Sequence, residues 1–147
     1  MTESKQSFVE GYLLYLLAAA SEKASAEFHG TVRKAGLRVP EWRVVACLYD
    51  RGPSMITELA ERALMEQSRM TRVVDQMVDR NIVERVSDQA DKRRVRVSLT
   101  DKGRALADEL VPQAKSHEAA LLSKLADTDA ERIKPVLKVL LEQLTAE

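Results

Sequence analysis

The stretch Asp91-Lys92-Arg93-Arg94-Val95-Arg96-Val97-Ser98-Leu99-Thr100-Asp101-Lys102-Gly103 leaves a chain few ways to fold. In quick succession it reads as a charged hairpin tip, a short alternating strand and the start of a helix. From Val95 to Leu99 apolar and polar residues alternate, the period of a strand with one face on a core. Thr100 is placed to cap the following helix, with Asp101 at that helix's positive end. A partner strand lies just upstream in Ile82-Val83-Glu84-Arg85-Val86, again with a half-buried pattern. Ser87 to Arg94, between the strands, is polar and holds Asp88, Asp91, Lys92, Arg93 and Arg94. The expected product is a hairpin with a long charged tip, and a basic loop on a rigid stalk suits reaching into nucleic acid.

At 147 residues the chain is long enough for one buried core and short for two. Its formal charge is zero, so the whole-chain basicity that often marks a nucleic-acid partner is absent. The charge is unevenly placed: residues 66–104 carry ten Lys or Arg against seven acids, and residues 105–147 carry five against eight. The single cysteine, Cys47, excludes an internal disulfide and fits a reducing, cytoplasmic compartment. No signal peptide and no membrane partner are expected, since the apolar run Tyr12 to Ala20 is about half the length of a membrane span.

Helical spacing predicts a first helix from Ser7 to Lys34, with Phe8, Tyr12, Tyr15, Leu16 and Ala19 on one face. Leu13, Leu14 and Leu17 make its middle apolar on every side. That favours packing against a second subunit over a place at the centre of a monomer's core. Gly36 stops this helix, Pro40 opens a second that runs to Asp50, and Gly52-Pro53 ends it. Ser54 is the expected cap of a third helix ending near Leu64. A fourth runs from Gln67 to Asp79 with Met70, Val73, Val74, Met77 and Val78 as its apolar stripe, and Asn81 supplies a left-handed stop. A long helix follows from Asp101 to about Leu125, with a kink expected at Pro112. Thr128-Asp129-Ala130-Glu131 reads as a capping box for a last helix striped by Ile133, Val136, Leu137, Leu140, Leu141 and Leu144. Pro135 conflicts locally with that assignment.

The third and fourth helices make a helix-turn-helix, and the hairpin makes it winged. The outer face of the fourth helix carries Gln67, Ser68, Arg69, Thr71, Arg72, Asp75 and Gln76. These types serve base edges or phosphates, although many solvated helix faces look alike. Arg93 and Arg94 suit a narrow minor groove. Asp91 would be repelled by phosphate, so its expected task is wing support, by pairing with a nearby guanidinium.

On these residues the chain resembles the MarR family of winged helix-turn-helix transcription regulators over nearly its whole length. The most specific match is Asp-x-Arg-Arg-x-x-x-x-Leu-Thr-x-x-Gly, here Asp91, Arg93, Arg94, Leu99, Thr100 and Gly103. Glu58-Leu59-Ala60-Glu61-Arg62 and Met70-Thr71-Arg72-Val73-Val74-Asp75 resemble the family's third helix and recognition helix, and Trp42-Arg43-Val44 the start of its second. The implied fold is mainly α with a small β hairpin. Residues 40–100 would form the DNA-binding lobe, and residues 1–35 and 101–147 an all-helical dimerisation lobe, in one MarR-type domain. The implied function is a homodimer on a near-palindromic double-stranded DNA operator, commonly a repressor released by a small amphipathic or aromatic effector or by oxidation. Gln67, Ser68, Arg69, Thr71, Arg72 and Gln76 would face the major groove, and Arg93 the minor groove. Two departures stand out: Leu64 and Glu66 replace the Gly and Ser that many relatives carry before the recognition helix. Gly11 stands where the peroxide-sensing branch has its reactive cysteine.

Cys47 lies among Val44, Val45, Leu48 and Tyr49, a setting that raises a thiol's pKa and makes it inert. His29 and His117 are the only histidines, and no cluster has metal-ligand spacing. Tyr12, Tyr15, His29, Trp42 and Arg43 are candidates to line an effector pocket, with plain core packing as the alternative. No phosphate loop, nucleophile motif or carboxylate pair suggests an enzyme or a cofactor. The rival function is a helical dimer whose winged lobe binds protein instead of DNA.

Overall fold

The computed structural model describes residues 7–146. It is mainly helical, with one two-stranded antiparallel hairpin. Two compact units divide the chain, residues 1–113 and residues 114–147.

The first unit begins with a break that the periodicity did not predict. Phe8–Gly11 forms a single turn, α1, and α2 spans Leu13–Lys34, with Tyr12 extended between them at ψ 123°. Gly11 explains the break, because glycine costs a helix about 1 kcal/mol relative to alanine. The Tyr12 ring stacks on Phe8 at 5.0 Å across it. At its other end α2 stops as expected: Gly36 takes φ 87°, its N–H donates to Arg33 O, and the Leu37 N–H donates to Val32 O. This pair of bonds satisfies carbonyls that the helix end would otherwise orphan, with Val32 and Leu37 both buried beside it.

Helix α3 spans Val39–Arg51 with Pro40 in its first turn, where a missing N–H costs nothing. Gly52 ends it at φ 75°. Helix α4 spans Ile56–Arg62, and here the expected cap is corrected. Met55 occupies the cap position, and its N–H is met by the Glu58 carboxylate at 3.0 Å. Ser54 is buried instead and exchanges two backbone bonds with Val97, N to O at 3.0 Å and O to N at 2.7 Å. Those bonds tie the entrance of α4 to the hairpin.

Helix α5 spans Gln67–Asp79, and the hairpin consists of β1 (Val83–Ser87) and β2 (Val95–Leu99), with Val83 opposite Leu99 and Ser87 opposite Val95. Only Val83 and Val97 of the hairpin's alternating residues are fully buried, whereas Val86 and Val95 near the tip are exposed. The half-buried pattern thus holds at the base and fades as the ribbon leaves the core. Helix α6 runs Asp101–Ser123 through Pro112. Thr100 caps it as expected: its Oγ1 accepts the Gly103 N–H at 3.1 Å and donates to Ile82 O at 3.0 Å.

In the second unit, α6 ends and turns lead to α7, Ile133–Thr145. The capping box over Thr128–Glu131 does not form. Thr128 Oγ1 donates to Leu125 O and accepts the Ala130 N–H, a local turn that competes with helix initiation. The later start resolves the proline conflict, because Pro135 falls in the first turn of α7, where its missing N–H has no intrahelical partner to lose. Lys134 pairs with Glu118 within this unit.

Candidate nucleic-acid interface

Helix α5 buries Met70, Val73, Val74 and Met77, the i, i+3, i+4, i+7 stripe, and leaves Gln67, Ser68, Arg69, Thr71, Arg72, Asp75 and Gln76 exposed. Both of its ends are set by left-handed residues. Leu64, at φ 56°, closes α4 with the Met65 N–H on Ala60 O, and Asn81, at φ 62°, closes α5 with the Ile82 N–H on Met77 O. Asn tolerates this region, whereas Leu does so at a cost of about 1–2 kcal/mol.

Ion pairs hold α5 against its neighbours. Glu41 is only 1% exposed, and its carboxylate takes Arg80 Nη1 at 2.7 and 2.8 Å and the Arg38 N–H at 2.8 Å. Arg80 also donates to Gly36 O, while its own carbonyl accepts Lys102 Nζ at 3.0 Å. The start of α3, the end of α5 and the start of α6 are thereby pinned together. Arg85 on β1 pairs with Asp75 on α5, linking the hairpin to that helix and neutralising its one exposed mid-helix acid. Arg38 Nη1 donates to Gln76 Oε1 at 3.0 Å. These partners lie far apart in sequence, and no short window marks Arg38, Glu41, Arg80 or Arg85 as site residues. The one local signal was Glu41, three residues after the helix cap and next to Pro40.

The outer residues of α5 differ in what they have free. Arg69 and Arg72 have no protein partner among the described residues and line a cleft with Arg38, Pro40, Glu41, Val73 and Gln76. Thr71 donates its hydroxyl proton to Gln67 O at 3.0 Å, so outward it offers acceptor lone pairs and a methyl group.

The tip between the strands is held by its own acids. Asp91 Oδ1 accepts the Arg93 N–H at 3.0 Å and Asp88 Oδ1 the Ala90 N–H at 2.9 Å, two side-chain turns in series. The Asp88 N–H donates to Arg94 O at 2.8 Å and closes the loop. Asp91 also lies 4.0 Å from Arg94 Nε, and Asp88 3.8 Å from an Arg96 nitrogen. Asp91 therefore meets a guanidinium as expected, though it shapes the loop more through backbone donors. Arg94 is loosely engaged. The Arg93 guanidinium has no partner among the described residues and is exposed.

Of the five residues considered for an effector pocket, three are neighbours. Trp42 meets Phe28 edge-on at 5.5 Å, and burial together with the positive charges of Arg33 and Arg43 pushes the His29 pKa down. Tyr12 and Tyr15 are exposed. Cys47 is half-buried, and burial pushes its thiol up, toward the unreactive protonated form. Among the described residues there is no cluster able to hold a metal ion, and no helix is long and apolar enough to cross a membrane.

The pattern that defines the MarR family matches residues 37–95, the stretch from Leu37 to the start of β2. The chain is similar to the crystal structure of a MarR family transcriptional regulator from Silicibacter pomeroyi, with 64% identity, a TM-score of 0.88, and 95% of this chain and 99% of that one covered. It is similar to Bordetella bronchiseptica BpsR, a protein whose DNA binding is regulated by 6-hydroxynicotinic acid, with 25% identity, a TM-score of 0.76, and 94% and 96% of the two chains covered. In Bacillus subtilis the transcriptional repressor MdtR is 28% identical over 113 residues, 77% of this chain and 73% of its own length. Transcriptional regulators of this kind are a non-enzymatic class. With so high an identity along nearly the full length of a family member, and the family pattern lying over the helix-turn-helix and the wing, this chain belongs to the MarR family of transcriptional regulators.

Proposed function

We propose that the chain is a sequence-specific double-stranded DNA-binding repressor that works as a homodimer in the cytoplasm and is released by a small effector. The observation that carries this reading is the set of guanidiniums without a partner among the described residues on two linked elements: Arg69 and Arg72 on α5, and Arg93 at the tip of the hairpin that Arg85 ties to α5. Helix α5 enters the major groove with Gln67, Ser68, Arg69, Thr71, Arg72 and Gln76 toward the DNA, while Arg93 and Arg94 enter the flanking minor groove. Residues 40–100 serve as the DNA-binding lobe, and residues 1–35 and 101–147 join two copies. The exposed apolar side chains of α1, early α2 and α7 support that pairing. Half-site centres then lie about 34–36 Å apart, or a multiple of that, on a near-palindrome.

For the effector, Trp42, His29 and Arg43, with Tyr12 and Tyr15 contributed from the dimerisation side, suit an aromatic acid. A neutral imidazole and a guanidinium would meet its polar groups, and the rings its body. The regulation of BpsR by a hydroxylated pyridine acid supports this chemistry.

Genomic fragments captured by the purified protein, followed by anisotropy titration over a range of salt, test the reading. Binding to the captured fragments is expected to weaken steeply as salt rises, through counterion release. A protein that captures no duplex preferentially, or whose binding ignores salt, would instead be a protein-binding winged module.

A further inference from the structure

The cleft beside α5 holds more positive charge than α5 alone brings to it, and the extra charge comes from outside that helix. Arg38, just before α3, stands with Arg69 and Arg72 around an opening of about 310 Å3 that is also lined by Pro40, Glu41, Val73 and Gln76. Two acids lie nearby, and neither is available to cancel this charge. Glu41 is buried and held by Arg80, and Asp75 is held by Arg85. Among the described residues the Arg38 side chain makes one hydrogen bond, to Gln76 Oε1, which leaves its other guanidinium donors without a partner there. Because a guanidinium has no acceptor, the amide oxygen must face it, and the Gln76 amide nitrogen, a donor, is turned to the remaining side. Three guanidiniums and an amide N–H around one opening, with the Glu41 carboxylate in its lining buried and engaged by Arg80, form a donor-rich cradle that favours an anion with several acceptor oxygens.

We propose that this cleft is a phosphate-binding subsite, with Arg38 as its member outside the helix-turn-helix, and that in the complex it takes one backbone phosphate of the duplex. The inference rests on the DNA-binding reading and adds to it a residue and a role. Arg38 positions the protein on the double helix and reads no base. It also gives Gln76 a task other than the two-point recognition of adenine, since its amide oxygen is already engaged by Arg38.

The test compares wild type with Arg38→Ala, using a fluorescein-labelled captured genomic duplex and a shuffled duplex of the same length, each titrated at several salt concentrations. The side chain's one bond is exposed, so the variant is expected to keep the wild-type unfolding temperature. Affinity should fall by a similar factor, about three- to tenfold, for both duplexes, and the slope of log K against log salt should shrink by about 0.9, one phosphate's worth. Unchanged affinity and slope, with wild type still binding its captured fragment, would overturn the subsite and leave the DNA-binding reading standing. Loss confined to the captured duplex would show that Arg38 acts through Gln76 on a base, and would equally overturn it. Wild type that binds neither duplex would remove both readings. A parallel calorimetric titration with inorganic phosphate at fixed ionic strength separates the sources. Weak, unsaturated binding is expected, whereas tight binding that Arg38→Ala abolishes would assign the cleft to a free anion and overturn its assignment to DNA.

Discussion

The middle of the chain and its two ends handle apolar surface in opposite ways. Every apolar residue buried among the described ones lies between Phe28 and Leu110, where α3, α4, α5 and the hairpin base enclose Val44, Val45, Leu59, Met70, Met77 and Ile82. By contrast, Phe8 to Leu16 and the α7 residues Val136, Val139, Leu141 and Leu144 supply most of the large apolar side chains left in water, and α1 and α7 bury nothing. A fold can leave scattered apolar residues exposed at little cost, but runs of them at both termini mark surface that is completed by something else. The winged region needs one copy of the chain to make its core. The terminal helices, on the proposed function, need two.

Placing a charge on the terminal surface is the most forceful way to break this contrast. Leu144→Asp, on a side chain 72% exposed, should cost the single chain almost nothing, yet separate the two copies. Sedimentation at micromolar concentration should then show monomers. Operator affinity should drop by about 100-fold or more, since linking two half-sites adds about 10²–10⁴ to either alone. The near-ultraviolet signal of Trp42, beside Phe28 in the middle region, should persist. A variant that stays paired and binds normally would move the interface away from α7.

The complementary break is made inside the winged region. A Cβ on Gly103 would run into the Ile82 carbonyl oxygen and sit 3.0 Å from Leu99 Cδ2. That oxygen also accepts the Thr100 N–H at 3.1 Å, so it cannot retreat without loosening the junction of hairpin and α6. Gly103→Ala should therefore destabilise the protein by about 2–3 kcal/mol, the upper part of the range for overpacking, and lower Tm by about 5–10 °C. A Tm within a degree of wild type would show that the junction is looser than its hydrogen bonds imply. At the wing tip a smaller and purely functional effect is expected. Arg93→Ala should weaken operator binding several-fold with Tm unchanged, because the exposed guanidinium has no hydrogen-bond or ion-pair partner among the described residues. Unaltered anisotropy curves at moderate salt would take the wing out of the mechanism.

What was legible in the sequence follows the same division between local and distant causes. Helix α5 was legible because its stripe, its outer polar face and Asn81 all lie within one window, and Val95–Leu99 with Thr100 carried an equally local signal. Gly11 interrupts a pattern that is apolar on every side, so periodicity had nothing to set against continuity. Ser54 looked like a cap because serine usually is one, but its backbone is drawn away by Val97, more than forty residues on. The same limit hid the ion pairs of Arg80 with Glu41 and of Arg85 with Asp75, as well as the meeting of Arg38 with Gln76. Each is made by a fold that brings together residues no short window contains.

The smallest expected effect sharpens the comparison at the turn between α4 and α5. Leu64 is 88% exposed and sits at φ 56°, so a large apolar side chain occupies a left-handed position where it neither packs nor relaxes. Glycine there would relieve about 1–2 kcal/mol of backbone strain and give back about 0.5–1 kcal/mol in chain entropy. Leu64→Gly should accordingly raise stability by a fraction of a kcal/mol to about 1 kcal/mol, read as a rise in Tm of a few degrees at most. Binding to the captured duplex decides what the strain is for. Unchanged affinity in the more stable variant would make Leu64 an unoptimised surface position, like the scattered exposed residues of the middle region. A several-fold loss alongside the higher Tm would place Leu64 with the terminal helices, as apolar surface kept in water because a partner covers it, here the sugar and methyl edge of DNA next to the start of α5.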